Sequence, residues 1–272
     1  MLASGTWGLG ESLLEIFTSE EVKTYIGALV TKGLSLKPQA GNPPPRLCET
    51  PCGLINSIGL ENPGISEFKR KYLRTLKETG IPIIVNVHGE KIEDFVKLAE
   101  ELEGEVEGIE INISCPNVKK GGILFSSDPE MVEVLIKAVR EKWQGFLSVK
   151  ISPVGAVFEI AKICDKHEVD AIVVANTYPA LSVISYSPFK VLKGGLSGPA
   201  IKPLTLRLVY EASKMVKVPV IGCGGITSGK DALEYLLCGA VAFQIGTVNL
   251  IDPRACIKIL EELKELSHGL CN

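Results

Sequence analysis

The sequence predicts an α/β protein folded as a (β/α)8 TIM barrel, a single domain spanning residues 1–272. Three observations predict it. Short β-branched runs alternate with longer amphipathic stretches along the whole chain. Runs such as Ile83-Ile84-Val85 are continuously apolar, which calls for burial on both faces and hence a parallel sheet flanked by helices. Eight such units fit in about 250 residues, a count that matches a closed barrel better than a doubly wound sheet, the runner-up. No linker, composition shift or internal repeat divides the chain.

The elements follow in order. A first, clipped strand is expected at Leu2–Gly5, which makes the barrel shortened at the N-terminus. The spacing then predicts a helix over Leu13–Tyr25, a strand over Ala28–Leu36 and a helix over Ile65–Glu78. Strand Pro82–His88 precedes helix Lys91–Glu103, and strand Gly108–Ser114 precedes helix Pro129–Lys142. Strand Phe146–Ile151 precedes helix Ala156–His167, and strand Ala171–Asn176 is followed, after a long segment, by helix Leu204–Met215. Strand Pro219–Gly224 with helix Lys230–Cys238, and strand Val241–Gly246 with helix Pro253–Leu266, complete the count. Ser127-Asp128-Pro129-Glu130, Ser228-Gly229 and Asp252-Pro253 supply cap residues and prolines where free N–H groups need them.

Composition narrows the function. Apolar residues make up 46% of the chain and charged residues 22%, as in a globular protein that is neither disordered nor fibrous. Apolar runs such as Ala171–Ala175 are too short to cross a bilayer, and no secretory signal opens the chain, so a cytoplasmic location is expected. A net charge of −3 and the lack of a basic run speak against nucleic acid as a partner. The eight cysteines form no CxxC pair and the three histidines are far apart, so no metal site is expected.

Alternation along the strands assigns faces. Ile109, Ile111 and Ile113 turn toward the helices; Glu110, Asn112 and Ser114 turn inward. Asn86 and His88, then Ser148 and Lys150, also turn inward, Lys32 ends the second strand and Asn176 closes the sixth. These polar groups gather at the C-terminal strand ends, where barrel active sites are built. Three asparagines and two lysines on one rim suit a planar heterocycle edged with C=O and N–H groups, a description that fits a flavin or a pyrimidine. Gly224-Gly225 and Gly246-Thr247 end the last two strands in the position of the common barrel phosphate site. The segment 178–203 reads as a long functional loop. Cys115, fixed by Pro116 at a strand end and followed by the lid-like Val118–Gly122, is a candidate base or nucleophile, its pKa lowered by a pocket containing Lys32.

These residues resemble the class 1B catalytic subunits of the dihydroorotate dehydrogenase family, over essentially the whole chain. The resemblance rests on Ala3–Thr6, Thr31-Lys32-Gly33, Gly41–Arg46, Glu49-Thr50-Pro51, Ile55–Gly64, Asn112–Asn117, Gly194–Pro203, Gly224-Gly225 and Gly246-Thr247. It implies an FMN enzyme that oxidises dihydroorotate to orotate in pyrimidine synthesis, with Cys115 as the base and hydride transfer to FMN. By match to the family motifs, Ser4, Lys32, Gly33, Asn86, Asn112, Lys150, Ala175, Gly198, Gly224, Gly225, Gly246 and Thr247 hold FMN. Asn56, Ser57, Ile58, Gly59, Leu60, Asn112, Asn117, Asn176 and Thr177 hold the pyrimidine, and Lys32 joins Cys115 in catalysis. The class also implies a partner subunit carrying FAD and an iron–sulfur cluster that passes electrons to NAD, and a homodimer within a heterotetramer. The chain itself has no GxGxxG turn and no cluster of cysteines for such groups. His88 stands where small residues are common in the family.

Four other readings compete. A class 1A-like enzyme would reduce fumarate, a flavin-free barrel isomerase or lyase would use the glycine pairs on a substrate phosphate, and a degenerate barrel would only bind or scaffold. Related flavin barrels that reduce uracil-type rings differ in direction and electron donor.

Overall fold

The computed structural model describes residues 1–114, 125–167 and 169–270. Its strands are β1 (Leu29–Val30), β2 (Leu47–Thr50), β3 (Gly53–Asn56), β4 (Ile83–Val87), β5 (Gly108–Asn112), β6 (Phe146–Ile151), β7 (Ala171–Val174), β8 (Tyr178–Tyr186), β9 (Phe189–Ser197), β10 (Val220–Cys223) and β11 (Ala242–Gln244). Seven of them form one sheet in the order β1-β4-β5-β6-β7-β10-β11. Every pairing in it is parallel. The order follows the chain without reversal, which removes the doubly wound alternative.

The sheet curls on itself. Leu2 makes parallel bridges both to Leu29 of β1 and to Ile245 just beyond β11. Its N–H donates to Ala28 O at 3.0 Å, while Ala3 N donates to Ile245 O at 2.8 Å. Side chains of non-neighbouring strands also meet: Gln244 Nε2 of β11 donates to Glu110 Oε2 of β5 at 2.7 Å. Such a bond requires the two strands to face one another across an interior.

The helices are α1 (Leu13–Ile16), α2 (Ser19–Tyr25), α3 (Ile65–Lys71), α4 (Leu73–Glu78), α5 (Ile92–Leu102), α6 (Pro129–Arg140), α7 (Val157–Lys166), α8 (Lys202–Met215), α9 (Gly229–Leu237) and α10 (Ala255–Leu270). The expected helix 13–25 is divided because Thr18 starts a new one: its Oγ1 accepts from Glu21 N, and Glu21 Oε2 accepts from Thr18 N at 2.9 Å. Asp128 caps α6 through Met131 N at 3.0 Å, with Pro129 in its first turn. The outer strand faces, Ile109, Ile111, Val149, Ile172 and Val174 among them, pack with Phe95, Leu98, Leu135 and Val209 of the helices in one core. The inner faces build small clusters low in the sheet from Ala171, Val173 and Ile221, and from Ala28, Val30 and Ile84. Among the described residues no helix is long and apolar enough to cross a membrane.

Two expectations are corrected. The segment 178–203 is not an open loop: β8 and β9 form an antiparallel hairpin, joined through β3 to β2 in a second, four-stranded sheet. Alternation in Pro179-Ala180-Leu181-Ser182-Val183 supplies its period-two pattern. The second expected strand is also far shorter than 28–36, ending at Val30, so Lys32 stands on the connection that follows rather than on a strand.

Candidate active site

The C-terminal strand ends carry a buried polar network built on the inward residues. Asn86 Nδ2 donates to Glu110 Oε1 at 2.7 Å, and Glu110 Oε2 accepts from Gln244 at 2.7 Å. Gln244 Oε1 accepts from Lys150 Nζ at 2.7 Å, which also lies 3.2 Å from Cys223 Sγ. Burial works to lower the Lys150 pKa, but Cys223 and the Glu110 carboxylate outweigh it, and the ammonium is held above the ordinary lysine value.

From this floor the candidate residues form a continuous arc. Asn112 Nδ2 stands 3.5 Å from Asn86 Oδ1, and Asn112 Oδ1 accepts from both the N–H and the Oγ of Ser114, at 3.2 and 2.6 Å. Asn176 Nδ2 donates to the same Ser114 hydroxyl. Thr177 follows, packed so close to Gly195 that a Cβ there would lie 2.0 Å from its Oγ1. Asn56 Nδ2 donates to Gly195 O at 3.2 Å and closes the arc. At the opposite end, a Cβ on Gly33 would lie 2.9 Å from Asn86 Oδ1, so only glycine fits against that amide.

A second group converges beside β10 and β11. A Cβ on Gly225 (φ +68°) would lie 2.9 Å from Gly198 O, one on Gly198 3.7 Å from Thr247 Cγ2, and one on Gly246 3.5 Å from Ala3 Cβ, next to Ser4. Gly224 is fixed by Tyr235, whose hydroxyl donates to its carbonyl at 2.6 Å. The amides of Gly225 and Gly246 donate to no protein acceptor among the described residues, and Thr247 opens a one-turn helix. Ala175 N donates to Cys223 O at 3.0 Å, tying the sixth strand end to this group.

The loop Asn56–Leu60 is held from one side by Asn42, which donates through Nδ2 to Ser57 O at 3.0 Å and through its backbone to Ile58 O at 2.9 Å. Lys32 Nζ lies 3.9 Å from Glu61 Oε2, an oxygen that Arg46 holds at 2.7 Å. Cys115 and Asn117 lie outside the described residues. The structure brings the rim amides Asn56, Asn86, Asn112 and Asn176 into one arc, and the glycines 198, 225 and 246 into a separate group. The sequence reading did not single out Gln244 or Glu61, which contact these residues. For Gln244 the signal existed: an amide at an inward position of an otherwise apolar strand.

A family model for dihydroorotate dehydrogenase matches residues 1–266. The chain belongs to the dihydroorotate dehydrogenase family. Relatives within this family include the dihydroorotate dehydrogenase B (NAD(+)) catalytic subunit of Thermoanaerobacter pseudethanolicus, 46% identical over 270 residues that cover 97% of this chain and 88% of that one. The protein of the same name from Geobacter metallireducens is 47% identical over 271 residues, with the same coverage. Among solved structures, the DHODH of Eimeria tenella in complex with ferulenol superposes with a TM-score of 0.80 over 99% of this chain and 81% of that one. At 21% identity that likeness shows the fold, an α/β dihydroorotate dehydrogenase architecture.

Proposed function

We propose that the chain is the catalytic subunit of an NAD-linked dihydroorotate dehydrogenase: a (β/α)8 barrel, with Leu2 standing for its first strand, that binds FMN and oxidises dihydroorotate to orotate in pyrimidine synthesis in the cytoplasm. The observation that carries the reading is the single arc of Gly33, Asn86, Asn112, Ser114, Asn176, Thr177 and Asn56, set beside a glycine cradle. The names of the relatives at 46–47% identity point the same way.

FMN fits these residues. Gly198, Gly224, Gly225, Gly246 and Thr247 would take its phosphate on their backbone amides; Gly198 is buried, the other four are half-buried, and any Cβ at Gly225 would collide. Gly33 leaves a flat wall for a ring; Asn86, Asn112 and Lys150 edge it with donors; Ser4, Lys32 and Ala175 complete the set. When bound, FMN supplies the acceptor for the hydride that dihydroorotate loses. Asn56 to Leu60, Asn112, Asn117, Asn176 and Thr177 hold the pyrimidine. Cys115, which follows Ser114 directly, takes the C5 proton as a thiolate. That proton lies next to a carbonyl, so rim amides and the Lys32 ammonium steady the negative charge that develops on its oxygen. Electrons leave through a separate subunit carrying FAD and an iron–sulfur cluster, and two catalytic subunits pair within a heterotetramer.

Anaerobic mixing with dihydroorotate tests the first half: the flavin absorption should bleach, and NAD reduction should require the added partner subunit. Protein that carries no flavin, or whose flavin does not bleach, would defeat the proposal. Cys115→Ala should keep FMN and lose about 10²–10⁴-fold in turnover, with Cys115→Ser weakly active.

A further inference from the structure

His88 is almost fully buried, at 3% exposure, yet nothing in the chemistry above uses it. Its ring stands between two parts of the candidate site. On one side it packs on Gly33, where a Cβ would lie 3.1 Å from its Cδ2. On the other its Nε2 lies 3.4 Å from Asn62 Nδ2. Burial pushes its pKa down to about 4, against a backbone hydrogen bond with Gly33 that acts the other way, so the ring is neutral and one nitrogen is free to accept.

Asn62, equally buried, is the hub of the loop that follows Asn56. Its Nδ2 donates to Leu60 O at 2.8 Å, and Leu60 holds a left-handed backbone (φ 58°) that a leucine adopts only under constraint. Its Oδ1 accepts from Ser35 N at 3.2 Å and Gly64 N at 2.9 Å. The remaining amide hydrogen faces Ser35 Oγ, at 2.9 Å, and His88 Nε2. The loop that would hold the pyrimidine is thus fastened through Asn62 to the residue that packs on Gly33.

We infer that His88 and Asn62 form a positioning pair, in which neutral His88 accepts from Asn62 and sets the Asn56–Leu60 loop at a fixed height over Gly33, so that substrate binding depends on a residue outside the set that touches it. This rests on the proposed dihydroorotate reading of the site. Removing the ring acceptor leaves that N–H with Ser35 Oγ alone and takes away the contact between Asn62, which holds the Leu60 turn, and the residue packed on Gly33.

The test uses the flavin-loaded protein and reads orotate affinity by calorimetry together with KM and kcat for dihydroorotate. His88→Phe keeps the bulk without the acceptor and should weaken orotate about tenfold, raising KM by a similar factor with kcat little changed. His88→Gln, which restores an acceptor, should return within about threefold of the parent. Asn62→Ala should match His88→Phe, and the two together should be no worse than either, because they break one connection. Wild-type affinity in His88→Phe, or effects that multiply in the double variant, would overturn the pair. Should Asn62→Ala fail to fold, the contrast of Phe with Gln at position 88 decides. A parent protein that neither binds orotate nor bleaches with dihydroorotate would instead count against the reading of the site as a whole.

Discussion

Gln244 donates to Glu110 and accepts from Lys150, so one neutral amide joins two buried charges of opposite sign. Neither charge has water to fall back on, as both side chains are closed off inside the sheet. Replacing the amide by an isosteric hydrocarbon would leave each ion with one partner fewer in a medium that penalises it. Gln244→Leu should therefore cost roughly 3–5 kcal/mol, the range for breaking a buried ionic contact on one side. Denaturant unfolding checks this, and a loss below about 1 kcal/mol would show that Glu110 and Lys150 find each other without it. Alternation made the inward direction of Glu110 and Lys150 legible from sequence. It could not reveal Gln244 as their link, because that contact runs between strands far apart in the chain and exists only once the sheet has curled.

At the scale of elements, the strands and helices of the parallel sheet were legible because burial on one or both faces imposes a period. The hairpin of β8 and β9 was not, because Lys193-Gly194-Gly195 reads as loop glycine. The glycines serve a close approach: a Cβ at Gly194 would lie 2.1 Å from Asn56 O, and one at Gly195 would strike Thr177. The cradle beside α9 has a similar logic, with Asp231 as its brace. Asp231 Oδ2 accepts from Thr227 N, Thr227 Oγ1 and Ser228 N, while Oδ1 meets Lys202, whose Cβ faces Gly225. Gly225→Ala forces a Cβ to within 2.7 Å of Lys202 Cβ at a left-handed position. It should abolish FMN retention through desalting while leaving the far-ultraviolet circular dichroism of the parent. Asp231→Ala should lower stability by about 2 kcal/mol, through the lost cap and its unsatisfied donors, measured as a fall in Tm.

For the whole molecule, the buried groups set how stability follows pH. His88 titrates near 4 when folded and near 6.5 when unfolded. Between those values the unfolded chain takes up a proton that the folded chain refuses, so stability falls as pH falls, by at most about 3 kcal/mol for a shift of this size. Carboxylates act in a lower window. Burial works to raise the Asp231 pKa, but Lys202, Thr227 and Ser228 outweigh it and hold the carboxyl at about 2; Lys166, Lys137 and His167 hold Glu133 at about 2. Their contributions are complete above the ordinary carboxylate range and are lost only as pH falls from about 4 toward 2. Urea unfolding at pH 7, 5.5 and 4.5 should therefore show a decline already in the upper window. His88→Gln, with no proton to exchange there, should flatten that decline and leave the lower one intact. An unchanged slope between pH 6.5 and 4.5 in the variant would mean that His88 is hydrated, and protonates freely, in the folded protein.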